Sequence, residues 1–394
     1  MLSIMNWNWQ QSDWPHFHWD VSRLIAAEQQ FLLRSGIYIG TVKHLEEEDR
    51  QSVTVDFLSS AAVTTSEIEG EILDRASVQS SIRHQLGLPT DCRRIPPAEQ
   101  GIADVMVNLY DTYAAPLSHE TLYRWHATLL NERRDIHDIG AYRTQDEPMQ
   151  IISGVFEVPR VHFEAPPSSL VRKEMEVFVD WFNSTSPIGP NPVTALARAG
   201  AAHLYFESIH PFDDGNGRIG RAIAEKALAQ SIGHPTLITL APTILKKRKS
   251  YYQALESSSK HNEITRWLAW FAETALESLD RTINWIDFLI AKTALFDRLR
   301  GQLNSRQEEA LLRMFREGPE GFKGGLSAAN YMKIAETTSA TTTRDLADLV
   351  EKGALRRVGE RRHARYFLRT SEAVEQDTSA ASGKAIPHGA NGGG

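Results

Sequence analysis

Apolar residues recur three and four positions apart along most of the chain, which predicts a mainly helical fold. This spacing is clear in six segments, at 45–60, 75–86, 99–113, 119–130, 170–183 and 195–208. Strand patterns are few. The clearest covers 149–158, where two β-prone arms flank Ser153 and Gly154 and predict a short hairpin.

The pattern changes after residue 300. Helical spacing continues in three shorter segments, at 306–317, 328–336 and 341–352. Two short segments follow, LRRV at 355–358 and RYFL at 365–368, with a polar turn between them, and predict a second hairpin. Three helices followed by a hairpin are typical of a winged helix-turn-helix domain.

These patterns divide the chain into four parts. We expect an N-terminal helical region at 1–98, a central core with a connecting helix at 99–300, a winged-helix domain at 301–370 and a disordered, Ser-, Ala- and Gly-rich tail at 371–394. The length of 394 residues fits two or three folded domains.

The charge is uneven along the chain. The net charge is −7, yet 301–370 holds 13 Lys and Arg against 9 Asp and Glu. A basic domain on an acidic protein suggests a separate partner. Its hydroxyl and guanidinium groups suit the phosphates of duplex DNA, although domains of this kind also bind proteins or form dimers.

Composition indicates a cytoplasmic protein. No run of about 18 apolar residues is present, so we expect no membrane span. The first residues lack the basic and apolar regions of a secretion signal. The single cysteine, Cys92, excludes an internal disulfide and fits a reducing compartment.

Candidate chemistry is concentrated in residues 210–221, which read HPFDDGNGRIGR. Pro211 disfavours helical geometry at the residue before it, so one helix should end near Ile209. A second helix should begin near Asn216. At its N-terminus Gly215, Asn216 and Gly217 leave backbone amides exposed, and such amides bind phosphate oxygens.

Four side chains extend this anion site. Arg218 and Arg221 lie one helical turn apart and can grip a polyphosphate. Asp214 supplies a carboxylate that suits Mg²⁺ shared with phosphate oxygens. His210 has the pKa range to accept a proton from an attacking hydroxyl. The combination predicts phosphoryl-group chemistry on a nucleotide.

Two simpler interpretations compete with this one. Gly215, Gly217 and Gly220 spell the dinucleotide-binding pattern G-x-G-x-x-G, but a helix and a His-Pro pair precede it where that pattern requires a strand. The stretch could also be a polar loop between two helices. Each residue type is common in such loops, whereas the full combination is not.

The same stretch resembles the signature of Fic-domain proteins, HxFx(D/E)GNGRxxR, with every fixed position filled. The resemblance extends through the flanking helices, from about residue 99 to about residue 276. It implies a Fic-type helical core with a β-hairpin flap. It also implies a protein adenylyltransferase, which moves AMP from ATP to a Tyr, Thr or Ser hydroxyl of a target protein or of the chain itself. UMP transfer and another donor stay open.

The resemblance assigns a role to each matching residue. His210 would deprotonate the target hydroxyl, and Phe212 would pack beneath the loop. The remaining assignments are Asp214 for Mg²⁺, Gly215, Asn216 and Gly217 for an anion hole, Arg218 for the β-phosphate and Arg221 for the γ-phosphate. Ile151, Ile152 and Val155 on the flap would dock the target by strand pairing. Tyr252 would stack on adenine or accept AMP.

A second short stretch, TSEIEG at 65–70, resembles the inhibitory motif of this family through Thr65, Glu69 and Gly70. The resemblance implies that Glu69 pairs with Arg221 and keeps it from the γ-phosphate, so that the enzyme is self-inhibited. The alternative is a surface glutamate without a partner. In some relatives this glutamate positions water to remove AMP, so a de-AMPylation activity also stays open.

A function without turnover is the main competitor. The chain could be a DNA-binding transcriptional regulator whose Fic core only senses nucleotide. The presence of His210 favours an enzyme, since a sensor needs no base. The sequence leaves open whether the chain acts alone or as a homodimer.

Overall fold

The computed structural model describes residues 7–91, 93–131, 133–153, 160–235, 237–319, 321–322 and 324–369. Their contacts separate into two compact units, one up to Thr282 and one from Ile283 onward. Each is mainly helical and holds one two-stranded antiparallel sheet in its described part, so the prediction of a mainly helical fold is confirmed. No described helix is both long enough and apolar enough to cross a membrane.

The six predicted helices of the first unit are present with shifted ends. In chain order, the helices as far as Arg298 are α1 (Ile25–Lys43), α2 (Glu47–Ile68), α3 (Arg75–Gln85), α4 (Pro97–Asp111), α5 (His119–Leu129), α6 (Ser168–Ser184), α7 (Ala195–Ile209), α8 (Asn216–Ile232), α9 (Leu240–Lys246), α10 (Arg248–Ser258) and α11 (Thr265–Arg298). Helix α2 continues past its predicted end. The apolar pattern does not reveal this last part, because its buried face includes the small or polar residues Ala61, Ala62, Thr65 and Ser66.

Helix α1 was not predicted from the apolar pattern. Two of its five buried positions are the polar residues Glu28 and Ser35, whereas Leu32, Leu33 and Ile37 are exposed. The Glu28 carboxylate accepts hydrogen bonds from the first backbone amides of α7, at 2.9 to 3.1 Å. A helix whose core-facing side includes a capping carboxylate has no clear apolar stripe.

Helices α7 and α8 form the centre of this unit. Every residue of α7 except Glu207 is buried, and five of its residues are alanine, which allows close approach of neighbouring helices. Gly200 shows how tight this packing is, because a β-carbon there would lie 2.8 Å from the Leu268 side chain. Helix α7 ends at Ile209 and α8 begins at Asn216, as predicted.

The first hairpin differs from its prediction. Strand β1 (Gln150–Ser153) pairs with β2 (Arg160–Glu164), so the second arm lies downstream of the predicted 155–158. The placement follows from burial, since Phe163 of β2 packs edge-on against Trp7 at 5.4 Å between ring centroids. The predicted flap residue Val155, like the rest of 154–159, lies outside the described residues.

The N-terminal segment before α1 packs along this hairpin. The Trp9 indole donates a hydrogen bond to the Glu164 carbonyl at 2.7 Å, and the Asn8 side chain donates one to the Ser208 hydroxyl at 2.7 Å. Ser208 belongs to the last turn of α7. The segment therefore connects the base of the hairpin to the helix that precedes His210.

The second unit contains the predicted order of three helices and a hairpin. Its elements are α12 (Ser305–Arg316), α13 (Ala328–Ile334), α14 (Ser339–Glu351), β3 (Leu355–Val358) and β4 (Arg365–Leu368). Leu311, Leu326, Tyr331 and Leu349 are buried in its core. The winged-helix assignment itself stays a prediction, and the tail predicted at 371–394 lies outside the described residues.

Candidate active site

The loop between α7 and α8 is braced from within. The Asn216 side chain accepts a hydrogen bond from the Phe212 amide at 3.0 Å and donates one to the Phe212 carbonyl at 2.7 Å. Phe212 is fully buried and stacks on His126, with ring centroids 4.1 Å apart. The side chain of Asn216, predicted for the anion hole, is thus used to hold the loop closed beneath α8.

His210 adopts a left-handed backbone conformation, with φ 50°, which is uncommon for a residue with a β-carbon. Arg143 holds it there. The Arg143 Nε donates to the His210 carbonyl at 2.9 Å, its backbone amide to the Pro211 carbonyl at 2.9 Å, and its Nη2 to the Pro166 carbonyl at 2.5 Å. Sequence reasoning missed Arg143, because nothing in its neighbourhood indicates that this arginine is buried.

His210 is a neutral imidazole at neutral pH. Burial lowers its pKa to about 4, and the nearby Arg143 charge acts in the same direction. An unprotonated imidazole can accept a proton, which a general base must do. The side chain lines a cavity of about 910 Å³, which is of the size that holds a nucleotide-sized ligand.

A buried carboxyl group that sequence reasoning also missed lies beside this base. The Glu207 Oε2 atom is 3.8 Å from the His210 Nδ1 atom, one helical turn away on α7. Burial raises the pKa of Glu207 to about 8, and the Glu69 charge adds to this effect. Glu207 is therefore largely protonated at neutral pH and adds little negative charge to the site.

The N-terminus of α8 is covered by Glu69. A β-carbon on Gly217 would collide with the Glu69 Oε1 atom, so glycine at this position leaves room for the carboxylate where it lies. The same oxygen is 2.7 Å from the Arg221 Nη2 atom. Arg221 is also held by Thr65, whose hydroxyl and carbonyl accept hydrogen bonds at 2.7 and 2.9 Å. The Glu69 carboxylate thus lies at a helix N-terminus and beside a guanidinium group, in the position where a phosphate would bind.

The second signature arginine is paired as well. Arg218 is only 6% exposed, and its Nη1 atom lies 2.7 Å from the Glu71 Oε2 atom. Its Nη2 atom is 3.5 Å from Asp214. Sequence reasoning missed the role of Glu71, because its partner lies 147 residues away. Two carboxylates from one short segment after α2 therefore pair with both arginines.

Asp214 is the half-buried end of this network. It accepts a hydrogen bond from the Gly215 amide at 2.5 Å and lies 3.1 Å from the Arg133 Nη1 atom. Among the described residues, no group of three or more His, Cys, Asp or Glu side chains could hold a metal by itself. One partly exposed carboxylate matches the way Mg²⁺ binds, with one or two carboxylates plus substrate phosphates.

The cavity brings together part of the predicted site. Its lining includes Glu69, Ile151, Ile152, His210, Gly217 and Tyr252. The Tyr252 hydroxyl donates a hydrogen bond to the Ile68 carbonyl at 3.2 Å, which ties it to the end of α2. Asp214, Gly215, Asn216, Arg218 and Arg221 do not line the cavity in this structure. Glu69 pairs with Arg221, and Glu71 pairs with Arg218.

Comparisons with known proteins concern the family and the fold. The family model of the Fic/DOC family matches residues 116–228, and that of a domain of unknown function, DUF4172, matches residues 7–88. The protein adenylyltransferase fic-1 of Caenorhabditis elegans is 29% identical over 109 residues, which are 27% of this chain and 20% of that protein. The protein adenylyltransferase Fic of Drosophila willistoni is 31% identical over 106 residues, with the same two shares.

A solved structure shows the same fold. The Fic-domain-containing signaling protein of Bacteroides thetaiotaomicron has a TM-score of 0.50 and 19% identity, and the match covers 66% of this chain and 96% of that one. The sequence matches span only about a fifth of the length of the two adenylyltransferases. The Fic/DOC family model, at residues 116–228, includes the whole of residues 210–221. The chain is a Fic-domain protein.

Proposed function

We propose that this protein is a protein adenylyltransferase that moves AMP from ATP to a Tyr, Thr or Ser hydroxyl of a target protein. The arrangement of His210 and the α8 N-terminus supports this proposal most strongly. An imidazole that burial keeps neutral lines the same cavity as the amide-bearing Gly217. A base beside an anion site is what transfer of a nucleotidyl group to a hydroxyl requires. The names of the two relatives point to the same donor and acceptor classes.

The proposed reaction is an in-line displacement at the α-phosphorus. The hydroxyl oxygen of the target attacks this phosphorus, the bond to the bridging oxygen of the β-phosphate breaks, and pyrophosphate leaves. His210 takes the hydroxyl proton. The α8 amides and the guanidinium groups of Arg218 and Arg221 stabilise the phosphate charge. Asp214 would hold Mg²⁺, which supplies further charge neutralisation when bound.

The flap is the proposed docking site for the target. Ile151 and Ile152 are 43% and 58% exposed and line the cavity beside His210. All four residues of β1 are exposed, and β1 pairs on one side with β2. A target segment can add to such a strand through main-chain hydrogen bonds, with its hydroxyl placed in the cavity.

We propose that the pairing of Glu69 with Arg221 inhibits the enzyme. The Glu69 carboxylate lies where phosphate oxygens would bind and holds Arg221, while Thr65 secures the same guanidinium. Arg221 is only 2% exposed, so this is a largely buried ion pair, and breaking it frees the clamp for a triphosphate. De-AMPylation by a Glu69-positioned water is an alternative use of the same residue.

Incubation with α-labelled ATP and Mg²⁺ tests the proposal. Three proteins are compared, namely wild type, Glu69→Gly and the double variant Glu69→Gly with His210→Ala. We expect label on protein with Glu69→Gly and its loss in the double variant. No label with any of the three, while labelled ATP still binds, would favour the nucleotide-sensing regulator.

A second activity is proposed for the 301–370 domain, namely binding of duplex DNA. One face of α14 is free of buried contacts, with Ala340, Thr343, Arg344 and Ala347 exposed, and Arg357 and Arg361 are exposed on the hairpin that follows. Hydroxyl and guanidinium groups at a helix N-terminus suit phosphate contacts. If Arg344→Ala leaves duplex binding and its salt dependence unchanged, α14 is not the contact. Cytoplasmic location and homodimer formation stay predictions.

A further inference from the structure

A serine, a histidine and a glutamate form a hydrogen-bonded chain on the flap side of the cavity. The Ser153 Oγ atom lies 2.5 Å from the His162 Nε2 atom. The His162 Nδ1 atom lies 2.9 Å from the Glu256 Oε2 atom. All three side chains line the same cavity as His210 and Gly217. Ser153 belongs to the proposed docking strand β1, but none of the three has a role in the chemistry proposed above.

The position of His162 comes from an irregularity in the hairpin. Ile151 faces Phe163 and Ile152 faces Val161, so His162 is the extra residue of a β-bulge. Bulges redirect a side chain and are common beside active sites. Val161 and Phe163 pack with Trp7 in one cluster, whereas the His162 side chain reaches Ser153 on β1.

Glu256 completes the chain from a different element. It lies on α10, one helical turn after Tyr252, and also pairs with Arg160 at 2.7 Å. Burial works against its ionisation, but hydrogen bonds from His162 and Arg160 outweigh this, so the pKa of Glu256 lies below its ordinary value. A carboxylate that accepts the Nδ1 proton of His162 leaves Nε2 free to take a proton from Ser153.

A hydroxyl, an imidazole and a carboxylate in this order constitute the arrangement that activates a serine as a nucleophile. Mere attachment of the flap to α10 would need only the pairs that His162 and Arg160 make with Glu256. It would not need a hydroxyl at hydrogen-bond distance from the second imidazole nitrogen. The serine also lies in the cavity proposed for ATP.

We propose that Ser153 is an AMP acceptor within the chain, activated by His162 and Glu256. This inference rests on the proposed adenylyltransferase function. The Ser153 oxygen bonds to the α-phosphorus of ATP, the bond to the β-phosphate oxygen breaks, and pyrophosphate leaves with the electron pair. The Ser153 proton moves to the His162 Nε2 atom, and Glu256 stabilises the imidazolium. The product is AMP esterified to the flap, inside the cavity.

The test is the site of self-modification in the Glu69→Gly protein after incubation with Mg-ATP. Trypsin releases residues 144–160, a fragment in which Thr144 and Ser153 are the two hydroxyl-bearing residues. We expect AMP on Ser153 by mass spectrometry, its loss with Ser153→Ala, and a fall of at least about 100-fold in its rate with His162→Ala. Ser257→Ala, at an exposed serine of α10, is the matched control and should change nothing.

Two other outcomes separate this inference from the function on which it rests. AMP on other residues of the chain or on added protein, with Ser153 unmodified, overturns the inference and leaves the adenylyltransferase intact. AMP on no protein at all refutes the adenylyltransferase. In that case a fluorophosphonate probe, which needs no ATP, tests whether His162 and Glu256 activate Ser153. Labelling of Ser153 that depends on His162 supports its activation, and absence of labelling overturns it.

Discussion

The Glu69 Oε1 atom lies 2.7 Å from the Arg221 Nη2 atom and directly over Gly217, so one carboxylate occupies both parts of the proposed phosphate site. In the proposed function, inhibition and catalysis then compete for the same two groups. Any change that removes the carboxylate frees the α8 N-terminus and the guanidinium together.

The second carboxylate, Glu71, should add to the inhibition. It pairs with Arg218 at 2.7 Å but is 38% exposed, so solvent weakens its contribution. We expect Glu71→Gln to raise AMP incorporation by roughly two- to five-fold on the Glu69→Gly background. The rise should come from a lower KM for ATP. An unchanged KM would mean that Arg218 is already available when Glu69 is absent.

Arg143 should act on catalysis through His210. On the Glu69→Gly background, Arg143→Lys keeps a charge but loses the fork that holds the His210 and Pro166 carbonyls. We expect kcat to fall about 10- to 100-fold with little change in the KM for ATP. Arg300→Met, at an exposed arginine, is the control.

Removal of the Arg143 charge should also move the pH profile. The charge helps to hold the pKa of His210 near 4, and a base must be unprotonated to act, so the rate falls as the pH falls through that pKa. Arg143→Met raises the pKa, and the acid limb of kcat should move to higher pH. An acid limb that stays in place would show that burial alone sets the pKa.

Glu207 should make stability depend on pH. Burial raises its pKa to about 8, so the folded state keeps a proton that the unfolded chain loses at lower pH. The stability of the wild type therefore falls as the pH rises through about 8, whereas Glu207→Gln has no proton to lose. We expect the variant to gain on the order of 1–4 kcal/mol relative to wild type between about pH 5 and about pH 9. Thermal unfolding at both pH values measures this gain. An equal difference at both would contradict the buried, protonated carboxyl.

The catalytic loop could be predicted because its parts are contiguous. Residues 210–221 specify the end of a helix before Pro211, a glycine turn and a helix start, and each depends on local chemistry. The elements of the second unit could be located for the same reason. Strands β3 and β4 have the predicted bounds, because a local polar turn at 359–364 separates the two arms.

The rest of the site depends on contacts between distant residues. Arg143 is 67 residues from His210, and Glu71 is 147 residues from Arg218, so neither pairing leaves a local pattern. The hairpin was misplaced because tertiary packing of Phe163 against Trp7 decides the register, which a β-prone run alone does not reveal. His162 and Glu256 meet only as a result of that register.

The central claim is that Glu69 inhibits by withholding Arg221. The most direct measurement is AMP incorporation from α-labelled ATP in a double-mutant cycle of Glu69→Gly and Arg221→Ala. We predict that Glu69→Gly raises incorporation at least about ten-fold, a change of about 1.4 kcal/mol, when Arg221 is present, and has little effect when it is absent. An equal rise with and without Arg221, or no rise in either case, would contradict the account.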